Sequence, residues 1–390
     1  MTQALIRPEM LVWARSRSRI SPEIIARKLH VHPEQIVDWE SGKAFPTFNQ
    51  ARSLAGAFHI PFGYLFLTTE PHERLPIADL RRTRKPRADS PSPEFRDVLY
   101  SALRKQDWYR EELRDQGEEA LSFVGMCTTD TPPENAAAEL SRTLGITAQT
   151  ARTIPTWSGY LSFIAEQSEN AGILVLRNGI VGSNTHRSLD VGEFQGFALS
   201  DPIAPLVFVN VNDFETAKIF TLIHELAHIW AGASGVSDTG EADLLQDGDP
   251  EIERWCDRVA VETLCPREDF SSAWDVGVDL DTLTSRIARQ YKVSSILVLR
   301  RALELGFIHK PLFFAQYDKE LARQKRPDNA EKGSGGPPPA VIIPYRNGKR
   351  YTRHVLDSVM GEHISWRDAA TLLDTSVGVV EGLAGGKTTR

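Results

Sequence analysis

Residues 219–230 read IFTLIHELAHIW, and this stretch decides how the centre of the chain is read. His224 and His228 stand four residues apart, so on a helix they share one face and both imidazoles reach one ion. Glu225 is offset by about 100° around that helix, where its carboxylate serves a water held by the ion better than the ion itself. The flanking Phe220, Leu222, Ile223, Leu226, Ile229 and Trp230 are apolar, which predicts a buried helix. Two buried imidazoles and a buried carboxylate are unfavourable without a partner, and a zinc ion supplies one.

A catalytic zinc takes three protein ligands and keeps one position open. The segment EIERWCDRVAVETLCP (251–266) predicts a helix that Asp249 caps and Pro266 ends. On it Glu253 and Asp257 are related as i and i+4, so one ligates while the other accepts a hydrogen bond from a ligating histidine. Glu251 points elsewhere, and Glu262 falls on the opposite side from Glu253. Upstream, GILVL (172–176) and PLVFVN (205–210) read as strands, with turn-rich residues including EFQGF (193–197) between them. Helices are predicted over 214–230 and 283–307. His186 and Arg187 are polar candidates for stabilising an oxyanion, with an ordinary loop contact as the alternative, and no oxyanion stabiliser is assigned.

The composition excludes several function classes. The longest apolar runs fall well short of the roughly 18 residues that a membrane span needs. The start MTQALIRPEM lacks the order of a signal peptide. Cys127, Cys256 and Cys265 form no CxxC, which excludes a disulfide framework and a cysteine-only zinc site. A cytoplasmic protein is expected, with no membrane partner. Residues 1–110 carry 18 Lys/Arg against 12 Asp/Glu although the whole chain is at −7, so the front is basic and the remainder acidic.

That basic front reads as short helices: about Met10 to Ser18, one opened by Ser21-Pro22-Glu23, one from His32-Pro33-Glu34 to Ser41-Gly42, and one over 49–58. RRTRKPR (81–87) and DSPSP (89–93) form a proline-broken linker, and 94–119 and 132–144 look helical. Toward the end, GSGGPPP (333–339) is a linker by composition. IIPYRNGKRYT predicts a hairpin turning at Asn347-Gly348, and 364–383 predicts two short helices.

Two resemblances follow. The stretch from EFQGF through APLVFVN and FETAKIFTLIHELAHIW to ERWCDRVAVETLCP, continued by YKVSSILVLRRALELGFI, resembles the ImmA/IrrE-type metallopeptidases over roughly residues 165–310. These are cytoplasmic zinc proteases linked to phage repressors and stress regulators. The resemblance implies that His224 and His228 bind zinc, Glu225 is the base, and Glu253 is the third ligand. It also implies hydrolysis of a peptide bond by an activated water, with the substrate pairing along a free edge at PLVFVN. The chain departs from that family with Cys256 in place of alanine and Val259 in place of phenylalanine. Residues 13–58, WARSRSRISPEIIARKLHVHPEQIVDWESGKAFPTFNQARSLAGAF, resemble the XRE/Cro-repressor helix-turn-helix family. This places His32 and Gln35 toward base edges in the major groove and Arg15, Arg17, Arg19 and Lys43 toward phosphates, while Pro33 and Glu34 suit DNA poorly.

The expected architecture is α+β: an all-α helix-turn-helix module (1–70), a linker and helical connector (71–165), a mostly helical zincin-like metallopeptidase domain with a small sheet (166–310), and a linker with a C-terminal appendage (311–390). The expected function is regulated, zinc-dependent cleavage of a partner protein, a transcriptional repressor, with double-stranded DNA as a further partner. A rival reading is a non-proteolytic, antitoxin-like partner of a toxin. The acidic connection SDTGEADLLQDGDPEIE (237–253), with Asp243, Asp247 and Asp249, is a candidate control element over the metal.

Overall fold

The computed structural model describes residues 2–18, 20–71, 77–79, 91–237, 250–324 and 337–386. Arg19, the basic run at 81–87, most of the acidic connection including Asp243, Asp247 and Asp249, and the start of the 333–339 linker lie outside the described residues. The chain divides into two units, Met1–Pro76 with Arg84–Leu99 and Ile77–Thr83 with Tyr100–Arg390.

The first unit holds α1 (Pro8–Arg17), α2 (Pro22–Leu29), α3 (Pro33–Glu40) and α4 (Phe48–Ala57), then a 3-10 turn at Phe62–Phe66. The Ser21 hydroxyl accepts from the Ile24 N–H at 3.4 Å and Pro22 opens α2. His30 takes a left-handed conformation, φ 54°, and turns the chain from α2 toward α3. Thr47 and Gln50 cap α4 reciprocally, with the Thr47 N–H donating to Gln50 Oε1 at 2.8 Å. Leu11, Ile25, Ile36, Trp39, Leu54 and Phe58 form the core. Arg15 forks onto the Glu40 carboxylate at 2.5 and 3.1 Å, tying α1 to α3.

The second unit is built around a five-stranded mixed sheet. It contains β1 (Ala78–Asp79), most of α5 (Pro93–Asp115), then α6 (Pro133–Leu144), α7 (Ala148–Thr153) and α8 (Trp157–Asn170). The strands β2 (Leu174–Asn178), β3 (Ile180–Val181), β4 (Asn184–Ser188), β5 (Gly196–Leu199) and β6 (Leu206–Asn210) follow, before α9 (Glu215–Trp230), β7 (Gly235–Ser237) and α10 (Glu251–Leu264). The sheet order is β1-β7-β5-β6-β2, with β3 and β4 as a separate antiparallel pair. β2 runs parallel to β6, from Leu174 opposite Leu206 to Asn178 opposite Asn210, while β5 is antiparallel to both β6 and β7.

Two expectations fail here. PLVFVN is no free edge: β6 is hydrogen-bonded on both sides, by β5 and β2, and all five of its residues are buried. EFQGF is not simply a turn region, since β5 begins at its glycine. The strand is only four residues long, too short for alternation to show in the sequence.

α9 packs on β5, β6, α8 and α10, and α10 packs on α6 as well. Ile219, Phe220, Leu222, Ile223, Leu226, Ile229 and Trp230 share one core with Trp255, Val259, Val261 and Leu264 of α10 and with Leu140, Leu144, Tyr160 and Ile164 of α6 and α8. The segment read as a connector therefore supplies two helices to the core beside the HELAH helix.

The remaining helices are α11 (Arg267–Ala273), α12 (Leu280–Tyr291), α13 (Ser295–Glu304), α14 (Lys310–Gln324), α15 (Pro339–Asn347), α16 (Lys349–Met360), α17 (Trp366–Leu372) and α18 (Val377–Ala384). The helical stretch 283–307 is broken at Lys292, φ 58°, and Ser294 caps the second half. The tail hairpin is absent. Asn347 ends α15 and Gly348, φ 84°, turns directly into α16. The Asn-Gly dipeptide supplies the turn between helices just as it would between strands. Tyr351, Val355 and Val359, spaced by four, put a buried stripe on α16. The Glu169 carboxylate caps that helix by accepting from the Lys349 and Arg350 N–H groups at 2.7 and 3.1 Å. α15 packs against β2, and the buried Arg177 guanidinium stacks over Tyr345 at 4.3 Å. Lys105 of α5 reaches Asn347 and Asp374, both at 2.6 Å. No helix among the described residues is long and apolar enough to cross a membrane.

Candidate metal centre

α9 presents His224 and His228 from one face, and α10, packed beside it, presents Glu253 and Asp257. Nitrogen and oxygen atoms of His224, His228 and Glu253 lie within 4.8 Å of one another, and all three residues are buried. Glu253 spans the two rings, with Oε1 at 3.0 Å from His228 Nε2 and Oε2 at 3.3 Å from His224 Nε2. The two Nε2 atoms face each other at 3.1 Å. Behind them, Asp257 Oδ1 lies 3.0 Å from His224 Nδ1. The pair Glu253 and Asp257 therefore divides as the sequence allows, Glu253 among the histidine Nε2 atoms and Asp257 on the far side of one ring.

The electrostatics of the grouping favour positive charge. Burial alone would lower the His224 basicity, but Glu253 and Asp257 outweigh it and raise the pKa to about 10. His228 moves the other way, lowered by burial and by the neighbouring His224 charge against the pull of Glu253. Burial would raise Glu253, yet the two histidines hold it well below the usual carboxylate range. Glu253 and Asp257 thus favour positive charge at His224. Two imidazole nitrogens and one carboxylate, with a second carboxylate orienting one ring, suit a divalent transition metal.

Glu225 is fully buried on the same helix, and its position depends on a residue that the sequence reading passed over. A Cβ on Gly196 would lie 2.7 Å from Glu225 Oε1, 2.7 Å from Thr221 Cγ2 and 2.9 Å from the Phe208 carbonyl oxygen. Only glycine lets β5 approach α9 this closely. The one signal was an isolated glycine between two strand patterns.

Other candidates fall elsewhere. Glu262 pairs with Arg301, and Glu251 is exposed at the start of α10. Cys256 and Val259 are core residues. His186 and Arg187 stand on β4 of the two-stranded sheet, with His186 exposed. In the first unit His32, Gln35 and Lys43 are exposed, and Gln35 Oε1 accepts from the His32 N–H at 3.2 Å. Arg17 is half-buried over the Trp13 ring at 5.6 Å. Arg15, expected at phosphates, is committed to Glu40.

Residues 169–303 match the family model of a peptidase domain described as the IrrE N-terminal-like domain. The match runs from the end of α8 through α13 and takes in all four residues of the centre, Glu225 and Gly196. This IrrE-like segment supports the ImmA/IrrE peptidase resemblance and a metallopeptidase role, and it does not extend to the first unit. No curated protein matches the chain.

Proposed function

We propose that this chain is a zinc-dependent endopeptidase that cleaves a partner protein, a transcriptional repressor, with a DNA-binding helix-turn-helix in its first unit. The observation that carries the reading is the buried grouping of His224, His228 and Glu253, with Asp257 behind His224 and Glu225 one residue from the ligating face. His224, His228 and Glu253 would hold the zinc, which would supply Lewis acidity toward a scissile carbonyl and an attacking water. Glu225 accepts the proton of that water and passes it to the leaving amine. Asp257 takes the His224 Nδ1–H, fixing the tautomer that leaves Nε2 free to ligate. Gly196 leaves room for the Glu225 carboxylate.

Glu225→Gln is expected to retain metal and lose cleavage. The variant, expressed in the native cell, should hold a full-length partner that the wild-type protein shortens when the two are mixed with zinc. A retained partner that wild-type protein leaves intact would instead favour the non-proteolytic, toxin-partner reading.

For the first unit, the support is the α2, turn, α3 arrangement with exposed His32, Gln35 and Lys43. Binding of the full chain to its own upstream DNA should weaken steeply with salt, as released counterions require. Lys43→Ala should lower the log–log salt slope by about 1. A complex whose affinity is flat from low to moderate salt contradicts phosphate contact and makes the unit a protein-docking module.

A further inference from the structure

Asp257 has a second environment. Besides holding His224 Nδ1 at 3.0 Å, it forms part of the wall of a cavity of about 410 Å³ between α10, α13 and the start of α14. Arg254 and Arg258 enter that wall from α10, Arg300 from α13 and Lys310 from the first turn of α14. Val261 and Leu303 give it an apolar face. Among the described residues no carboxylate pairs with Arg254, Arg258 or Lys310. The one carboxylate in the wall besides Asp257 is Glu304, which is taken by Arg301 at 3.0 Å. A volume of this size belongs to small-molecule sites, which pair an apolar lining with a few convergent polar groups.

We propose that this cavity binds a small organic monoanion, a carboxylate on an apolar body, and that its occupant strengthens metal binding through Asp257. The carboxylate head meets the guanidinium groups of Arg254 and Arg258 and the Lys310 ammonium, where charge-assisted hydrogen bonds are strongest. The body covers Val261 and Leu303. An inorganic anion would leave the apolar face in water, and a neutral molecule would leave the cations unanswered.

The link to the centre is the shared carboxylate. Asp257 sits between the field of Arg254 and Arg258 on its own helix and the His224 Nδ1–H. An anion that neutralises the arginines leaves Asp257 to the histidine, which fixes the ring and makes Nε2 the better donor. Metal and anion then reinforce each other, by the same factor in both directions. The second half of the proposal rests on the metal-binding reading, whereas the binding half stands without it.

The test uses the full chain, stripped of metal by a chelator, titrated calorimetrically with octanoate, 1-octanol and inorganic phosphate. Octanoate is expected to bind at least tenfold more tightly than either comparison ligand. The double variant Arg258→Glu with Lys310→Glu, at two exposed positions, is expected to weaken octanoate at least tenfold while unfolding at the wild-type temperature. Phosphate or 1-octanol binding as tightly as octanoate, or octanoate binding unmoved by the charge reversals, overturns the site. In a second measurement, zinc affinity by chelator competition should rise at least twofold with saturating octanoate, and only in the protein that keeps Arg258 and Lys310. Zinc affinity that is unchanged or weaker overturns the coupling. A protein that binds octanoate but no zinc defeats the metal reading and leaves the cavity assignment standing.

Discussion

Glu253→Ala is expected to empty the metal centre. Glu253 touches both ring Nε2 atoms, at 3.0 and 3.3 Å, and it is buried with them. Loss of a group that merely orients a ligand costs about 10–100-fold in metal affinity, so loss of one of the three ligands is expected to cost at least about 100-fold. His224→Ala and His228→Ala should do the same. Asp257→Asn keeps the shape but weakens the acceptor at His224 Nδ1, and should cost about 10–100-fold. Glu251→Ala, on the exposed start of α10, should change nothing. Metal content after dialysis and competition with a chromophoric chelator check the series, and full metal in the Glu253→Ala protein removes that residue from the centre.

Gly196→Ala is expected to separate metal binding from catalysis. The new methyl would meet Glu225 Oε1 and Thr221 Cγ2 at 2.7 Å and the Phe208 carbonyl at 2.9 Å. The carbonyl belongs to the β6 ladder and cannot retreat without breaking the sheet, so the Glu225 side chain has to move. Displacing a general base forfeits on the order of 10²–10⁴-fold in rate, and the overpacking costs about 1–3 kcal/mol of stability. The histidines and Glu253 are untouched, so metal content should persist. Adding Thr221→Ser removes one of the clashing methyls and should recover part of the stability without restoring the rate. Peptide-cleavage rates beside thermal unfolding of the single and double variants decide it, and a Gly196→Ala enzyme of normal rate would show that Glu225 acts from elsewhere.

The pairing of His224 with His228 was legible because helical spacing alone fixes which side chains share a face, and the same spacing put Glu253 and Asp257 on one face of a second helix. The division of labour between Glu253 and Asp257 was not, since it depends on how α10 leans against α9. Gly196 was illegible for the same reason: its importance is an approach between a strand and a helix that are distant in sequence. PLVFVN could be read as a strand from its β-branched residues, but neighbours in a sheet leave no mark on a fully buried strand. At Asn347-Gly348 the turn was read correctly and its flanks were not, although the four-residue spacing of Tyr351, Val355 and Val359 carried the helical answer.

β2 is the outermost strand on its side of the sheet, yet Leu174 to Arg177 are buried and α15 packs against it. The segment that the family model covers stops at residue 303, well before α15 begins at Pro339. A fragment cut to those limits would lose Tyr345 from above the Arg177 guanidinium and the α16 amides from the Glu169 carboxylate. It would also leave β2, the last strand of the sheet, with less of the chain packed against it, and an exposed edge strand is a template for pairing with further copies. The stretch that the family model covers is thus expected to be less soluble when expressed alone than with α15 and α16 in place.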